Sequence, residues 1–566
     1  MKRLVQFFNP LAFTPKIWTV FKEGYKFNHF KADFMAGLTV AIVALPLSMA
    51  LAIASGSTPD KGIITAIIAG FLISFLGGSR YQIGGPTGAF VVIVYHIIES
   101  HGYDGLLIAT IMAGVLLIIF GLCRFGSIIK YIPFPVITGF TAGIAVIIFS
   151  SQIKDLLGLQ ITKLPGDFIP KWEIYFKKID TAHLPAIALS LISLALLFLG
   201  RHFWPRGPYF LIVVTFGALC VWFFNLPVAT IGTEFGIISS SLPAPSLPDF
   251  TWSKCITLLP SAFTIAFLAG IESLLSAVIA DGMTGARHRS DAELIAQGIA
   301  NIGSACFAGL PATGAIARTA TNIRAGARSP IAGMLHAIFL LLMMLLVAPL
   351  AQWLPLASLA AILVIVALNM SEIENFKFIF KAPKSDILIL ILTFLLTVFV
   401  DLTFAISIGI ILSSLLFTRR MSELAIIKNI NKSLKDDDEN QEISKHFGKN
   451  IPKNVEIYKI QGPFFFGMTI PMKDLIDRMD QGVEILILRM RDVPMIDASG
   501  LARLNDFFLH AEACNVTIIL SSVQDKVKKL IQNIEMNHKD NIYFSSDYAE
   551  ALDIVFNLSL TTKNVS

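Results

Sequence analysis

Residues 310–330 read LPATGAIARTATNIRAGARSP, between two strongly apolar blocks. The stretch is too broken by Pro and Gly, and too polar, to be an ordinary membrane span. It has an echo: residues 84–89 read GGPTGA and open a short apolar run, 90–98, too brief to cross about 30 Å of hydrocarbon. Thr87 and Thr313 each precede a glycine, at matching places in two halves of the chain. Paired short, Pro/Gly-interrupted segments are the mark of a secondary-transporter site. Half-helices that begin mid-membrane turn free N–H groups and a positive dipole end toward whatever lies between them. That arrangement suits an anion.

Composition agrees with a membrane setting. Of 566 residues, 55% are hydrophobic and 15% charged, and the mean hydropathy is +0.70; soluble domains are about 25% charged. Apolar runs fill positions 34–417, whereas the last part of the chain has ordinary composition. Five scattered cysteines (Cys123, Cys220, Cys255, Cys306 and Cys514) form no disulfide framework and no metal-ligand spacing. The N-terminus lacks a signal-peptide pattern. Residues 1–33 mix aromatics with Lys16, Lys22, Lys26 and Lys31, as a cytoplasmic surface segment would.

Twelve apolar blocks follow, near 34–54, 61–78, 104–122, 133–151, 183–203, 209–226, 258–281, 292–309, 329–350, 355–370, 384–400 and 402–418. Half-helices at 87–100 and 314–327 bring the total to about fourteen spans. With the N-terminus inside, the inner loops hold Arg80; Arg124 and Lys130; Arg201 and Arg206; Arg287 and Arg289; Arg324 and Arg328; Lys377, Lys381 and Lys384; Arg419 and Arg420. This is the positive-inside pattern, and it places both termini in the cytoplasm. Seven spans per repeat is an odd number, so the second copy is inverted relative to the first. Pro46 and Glu272 then occupy similar depths.

After Arg420 comes a charged linker, KDDDENQEISKHFGKN, and from Val455 strands alternate with helices. VEIYKIQG, VEILILRM and NVTIILSSV read as strands; MKDLIDRMD, DKVKKLIQNI and DYAEALDIVFNL read as helices. The tail is a small α/β domain.

Glu272 stands out among the candidate residues. It lies in the cation-free run FTIAFLAGIESLLSAVIA, and a mid-membrane carboxylate is expensive and faces a cavity, where it titrates or binds a cation. Ser273 and Ser276 add oxygen ligands, so Glu272 with Ser276 could hold Na⁺, or the acid alone H⁺; Glu272 is the one metal candidate, for Na⁺. Arg318 either attracts the anion or pairs with Glu272 to brace the site. Thr87, Gly88, Ala89, Thr313, Gly314 and Ala315 would offer N–H groups and hydroxyls to the anion. Asp281 reads as an anchor at the cytoplasmic end of its span, Glu99 and Asp401 as interfacial, and His96 as a core residue. In VPMIDASGL, Asp497 and Ser499 stand between a strand and a helix starting near Gly500; N-capping is the favoured reading, phosphorylation of the serine the other. There is no nucleotide-binding loop, metal cluster or nucleophile–base pair, so nothing points to an enzyme or to a cofactor beyond the coupling ion.

Together DFMAGLTVAIVALPLSMALA, GGPTGAFVVIV, IESLLSAVIADGMTGARHRSDAELIAQGIANI, PATGAIARTATNIRAGARSPIAG and DASGL resemble the SulP family of sulfate permeases, from about Asp33 to the C-terminus. The resemblance implies an α-helical polytopic membrane protein of fourteen spans in two inverted repeats, divided into core and gate, followed by a cytoplasmic α/β STAS domain. The expected division is an N-terminal segment at 1–33, a transporter domain at 34–418, a linker at 419–454 and the STAS domain at 455–560. By motif, Glu272 matches the acid implicated in Na⁺ or H⁺ coupling and Ser276 the hydroxyl one turn later. Thr87 to Ala89, and Gly314, Ala315, Ile316 and Ala317, match the half-helix starts that hold the anion, Arg318 the basic residue of the second, and Ser499 the serine phosphorylated in anti-sigma factor antagonists. Leu47 stands where many relatives have Gln, and Ala317 where some have Ser. The segment around Glu272 looks most like the proton-coupled dicarboxylate and bicarbonate members.

The expected function is cation-coupled symport of a small oxyanion (sulfate, bicarbonate or a C4-dicarboxylate) across a bacterial inner membrane, by a homodimer whose core moves against its gate like an elevator. Its partners would be the anion, the bilayer and a cytoplasmic protein at the STAS domain, with no nucleic acid. A nucleobase-type permease of the same fold and a membrane-tethered STAS signalling scaffold are the rival readings.

Overall fold

A computed structural model describes residues 10–127, 133–161, 164–204, 207–236, 239–423, 426–429, 454–465, 482–535 and 541–563, with positions 472, 475, 476 and 479. Two compact units divide at Ile411 and Leu412.

The first unit is helical. Its main elements are α1 (Phe27–Ala54), α2 (Pro59–Leu76), α3 (Val91–Leu122), α4 (Phe134–Leu157), α5 (Phe168–Lys177), α6 (Leu184–Phe203), α7 (Tyr209–Phe224), α8 (Trp252–Thr284), α9 (Ser290–Cys306), α10 (Ile316–Arg324), α11 (Ile331–Val347), α12 (Leu356–Met370), α13 (Lys384–Phe399) and α14 (Leu402–Glu423). Among the described residues, eight helices are long and apolar enough to cross a membrane, and α7 and part of α11 are shorter apolar helices. Proline and glycine set the boundaries. Pro59 opens α2 from an extended Thr58, as proline does at a first helical turn. Gly102, at φ 72°, breaks α3, so the expected half-helix ends there and a full span follows. The first span starts at Phe27, inside the stretch read as a surface segment, and a separate helix, Lys16–Lys22, precedes it.

Two helix groups emerge from the packing. In one, α3 packs on α8 and α9, and α11 packs on α1 and α2; in the other, α4 packs on α12 and α13, and α12 on α6. Exchanging the two halves of the chain maps α3 on α8 to α11 on α1, and α3 on α9 to α11 on α2. This is the contact pattern of an inverted repeat.

The second unit contains the end of α14 and a five-stranded sheet of order β3 (Ile426–Asn429), β4 (Val455–Gln461), β5 (Ile485–Asp492), β6 (Thr517–Ser521) and β7 (Ile542–Ser545). β3 runs antiparallel to β4 and the rest are parallel. Alternate residues point to opposite faces. Tyr458, Leu486, Leu488, Ile518 and Leu520 join Phe507, Phe508 and Ile531 in one cluster. Ile457, Ile485, Ile487 and Ile519 join Leu552 and Val555 in the other. Helices α15 (Ala498–Ala513) and α16 (Asp525–Glu535) thus cover one face and α17 (Tyr548–Lys563) the second. β3 lies in the stretch read as linker, and β7 is a strand the sequence reading missed because only four residues pair. The acidic linker and most of MKDLIDRMD lie outside the described residues.

Candidate functional site

The two broken segments meet. β1 (Gly84–Gly85) and β2 (Thr313–Gly314) form an antiparallel pair, Gly84 opposite Gly314 and Gly85 opposite Thr313, and Ala315 N–H extends it to the Ile83 carbonyl at 2.8 Å. Both strands need glycine for space. A Cβ on Gly314 would stand 2.0 Å from Gln82 Nε2, and one on Gly85 2.4 Å from Arg318 Nη1. Behind β1 the chain enters a 3₁₀ turn, Gly88–Phe90, and then α3; behind β2 it enters α10. The first N–H groups of a helix have no intrahelical partner, so the starts at Gly88 and Ala89, and at Ile316 and Ala317, both offer donors. Ile316 and Ala317 are exposed, and Thr87 is half-buried.

The two Thr-Gly-Ala triplets play different parts. Thr87 is the extended residue just before helical backbone, and its hydroxyl donates to Glu272 Oε2 at 2.7 Å. Thr313 lies in β2, and its hydroxyl donates to the Ala269 carbonyl at 2.8 Å. Both hydroxyls and the Ala315 N–H are therefore engaged with protein, not free for an anion as the sequence reading had them. An antiparallel pair brings β1 and β2 together, and the residues that pair lose their donors to each other.

Arg318 is fully buried and does not pair with Glu272; Nη2 donates to the Pro86 carbonyl at 3.1 Å, while Nε and Nη1 have no partner among the described residues. It braces the first half-helix from the second, through backbone. Ser276 Oγ, also buried, donates to Thr319 Oγ1 at 3.1 Å; that oxygen accepts from Ile83 N–H at 3.1 Å. Ser276 thus links α8 to α10 and to the chain before β1. Ser273 does not serve Glu272 either: it donates to Glu293 Oε1 at 3.3 Å.

Glu293 is the residue sequence reading missed. Fully buried, it accepts from Gly78 N–H at 2.8 Å and Ser79 N–H at 3.1 Å on one oxygen. On the other it accepts from Gln82 Nε2 at 2.9 Å and Gln297 Nε2 at 3.1 Å. Gln82 also donates to Ser273 at 2.6 Å. One carboxylate thereby holds α8, α9 and the chain leading into β1. The signal was weak: Glu293 shares the first turn of its helix with Asp291, in a stretch that also holds Gln297 and Asn301.

In the second unit, Asp497 caps α15 by accepting from Gly500 N–H at 2.6 Å, and Ser499 is exposed in the first turn. The helix begins at Ala498 rather than Gly500. Asp281, at the end of α8, accepts from His288 N–H at 2.8 Å. His96, expected in the core, is exposed.

The sulfate permease family model matches residues 30–393, well over half of the chain. The chain belongs to the sulfate permease family. A STAS domain matches residues 448–549. Among sulfate permease relatives, the Bacillus subtilis protein YvdB is 41% identical over 91% of this chain and 96% of its own. The bicarbonate transporter BicA of Picosynechococcus is 30% identical over 78% of this chain and 80% of its own. The solved transmembrane domain of a cyanobacterial BicA matches with a TM-score of 0.62 at 29% identity, over 68% of this chain and all but 2% of that one, that is 98%. A structure of SLC26A9 matches with a TM-score of 0.84 over 98% of this chain and 94% of that one at 18% identity, a likeness of fold. This member of the sulfate permease family is thus a multi-pass membrane protein with a C-terminal STAS domain.

Proposed function

We propose that the chain is a secondary active transporter that carries a small oxyanion (sulfate, bicarbonate or a C4-dicarboxylate) together with a cation. The observation that carries this reading is the β1–β2 pair with Glu272 tied to Thr87. Two half-helix starts converge on one place, and the only carboxylate bonded to that pair of starts among the described residues is Glu272. The anion binds the N–H groups of Gly88, Ala89, Ile316 and Ala317, with Thr87, Thr313, Gly314 and Ala315 holding those starts in register. Arg318 supplies positive potential across the first half-helix. Glu272, with Ser276 one turn on, carries H⁺ or, as a sodium site, Na⁺, and so offsets the anion's charge. The names of the relatives, which include bicarbonate and sulfate transporters, favour the same substrate class.

The helix group holding α3, α8 and α10 is the moving core and the group holding α4, α12 and α13 the gate of an elevator. The chain lies in a bacterial inner membrane as a homodimer with both termini cytoplasmic. Ser499, exposed in the first turn of α15, is where phosphorylation would add charge and alter binding of a cytoplasmic partner.

The test is uptake of labelled sulfate, bicarbonate and succinate into proteoliposomes under an imposed pH or Na⁺ gradient. One anion driven by one gradient identifies substrate and coupling ion together. Equal uptake with and without every gradient would overturn the coupled mechanism.

A further inference from the structure

A cavity of about 870 Å³ lies between the two helix groups of the first unit. One wall is the first half-helix, Val91 to Ile97, so the cavity begins one residue beyond the Gly88–Phe90 turn. The other includes Ser151 and Lys154 of α4, Thr397 of α13 and Leu402 of α14. Lys171 of α5 lines it. This lysine is 4% exposed, yet among the described residues its ammonium makes neither a hydrogen bond nor an ion pair. Burying an unpaired charge is costly, and burial pulls this ammonium down to about 8, with the Asp167 and Glu99 carboxylates opposing the shift.

The position of Lys171 is held from both helix groups. Tyr175, one turn along α5, donates its hydroxyl to the Ser150 carbonyl of α4 at 2.9 Å. Tyr95 of the half-helix donates to the Leu164 carbonyl, in the connection leading to α5. These bonds hold α5 beside the first half-helix, so Lys171 lines the same cavity as Val91 to Ile97.

We infer that Lys171 is an anion-capture residue of this vestibule, drawing the oxyanion in before it reaches the N–H groups at Gly88 and Ala89. This rests on the transport reading above. The same lining carries the carboxylates Asp155, Asp167, Glu234 and Asp401; Asp401 is engaged by Phe404 N–H at 3.0 Å. These carboxylates outnumber Lys154 and Lys171 and repel an entering anion, so the Lys171 ammonium acts by offsetting that repulsion next to the half-helix and raising the rate of entry.

The test compares wild type with Lys171→Met, Lys171→Glu and Lys171→Arg in proteoliposomes oriented by a membrane-impermeant label. KM for whichever of sulfate, bicarbonate or succinate the wild type takes up should rise about three- to tenfold in Lys171→Met and further in Lys171→Glu, with kcat kept. Lys171→Arg should stay near wild type, and the difference should shrink at high ionic strength. Thermal unfolding of Lys171→Met should begin no lower than wild type, since a lone buried charge is removed. An unchanged KM, or a fall in kcat and Tm together, overturns the inference while leaving transport standing. Absence of uptake by the wild type overturns the transport reading itself, a result no Lys171 variant produces. Independently of flux, millimolar amounts of the same three anions should slow acylation of Lys171 by an impermeant amine reagent, read by peptide mass spectrometry; equal labelling with and without all three also overturns it.

Discussion

Thr87 Oγ1 and Glu272 Oε2 stand 2.7 Å apart, with 185 positions of chain between them. The bond joins the start of the first half-helix to the acid of α8, so in the proposed mechanism the anion site and the charge on Glu272 are linked through this one contact. A carboxylate accepting from a positioned hydroxyl is held in one rotamer, and what binds beside the hydroxyl is felt by the carboxylate.

Glu272→Gln should therefore abolish gradient-driven uptake while leaving anion binding in place, because the amide still accepts from Thr87 but carries no charge. Thr87→Val removes the hydroxyl. A hydrogen bond to an ionised group contributes about 1.5–3 kcal/mol, so coupled uptake at a fixed gradient should fall roughly tenfold. Counterflow separates the two effects: normal gradient-driven uptake by Glu272→Gln would remove Glu272 from the coupling step.

Gly314→Ala should destabilise by about 1–3 kcal/mol, as overpacking a filled site does. Its Cβ would stand 2.0 Å from Gln82 Nε2, and that amide is held by Ser273 and Glu293 and has nowhere to go. Gly282→Ala, with nothing within 4 Å of its Cβ, is the control and should be neutral to slightly stabilising, since it lies inside α8 where alanine favours the helix. Thermal unfolding in detergent measures both, and equal Tm values for the two variants would refute the close approach.

Removing the carboxylate of Glu293 should be the most damaging change to folding. Glu293→Ala takes away the acceptor of the Gly78, Ser79 and Gln297 donors and of the Ser273 hydroxyl, and leaves Gln82 with Ser273 alone, at about 1–3 kcal/mol for each lost bond. Glu293→Gln sets its own NH₂ against donors and should also unfold early. Near-wild-type yield and Tm for Glu293→Gln would show that the hub does not depend on a two-oxygen acceptor.

Asp497→Ala should weaken α15 by about 0.5–2 kcal/mol, the usual loss of a side-chain cap, whereas Ser499→Asp should change stability little because the side chain is exposed and a negative charge suits a helix start. Hydrogen exchange of the Ala498–Ala513 amides in the full-length protein measures this. Faster exchange in Ser499→Asp than in Asp497→Ala would reverse the assignment of the cap.

The order of spans, both half-helices and the alternating strands of the tail were legible in the chain, because each is written in local periodicity and local breaks. Hydrophobic runs of about twenty residues and the Pro/Gly breaks at 84–89 and 310–330 act over a few residues, and sequence carries such signals directly. The acid Glu272 was also visible, since a charge inside an apolar run needs no partner to be conspicuous. Only the tertiary structure decided the pairings. It set Thr87, not Ser273, on Glu272, turned Arg318 to the Pro86 carbonyl, spent the Ala315 N–H on Ile83, and gathered five donors around Glu293. Each partner lies far along the chain in another helix or strand, and a side chain's hydrogen-bond partner depends on how those elements cross. No local pattern encodes that crossing; it is fixed when the two halves of the membrane domain close on one another.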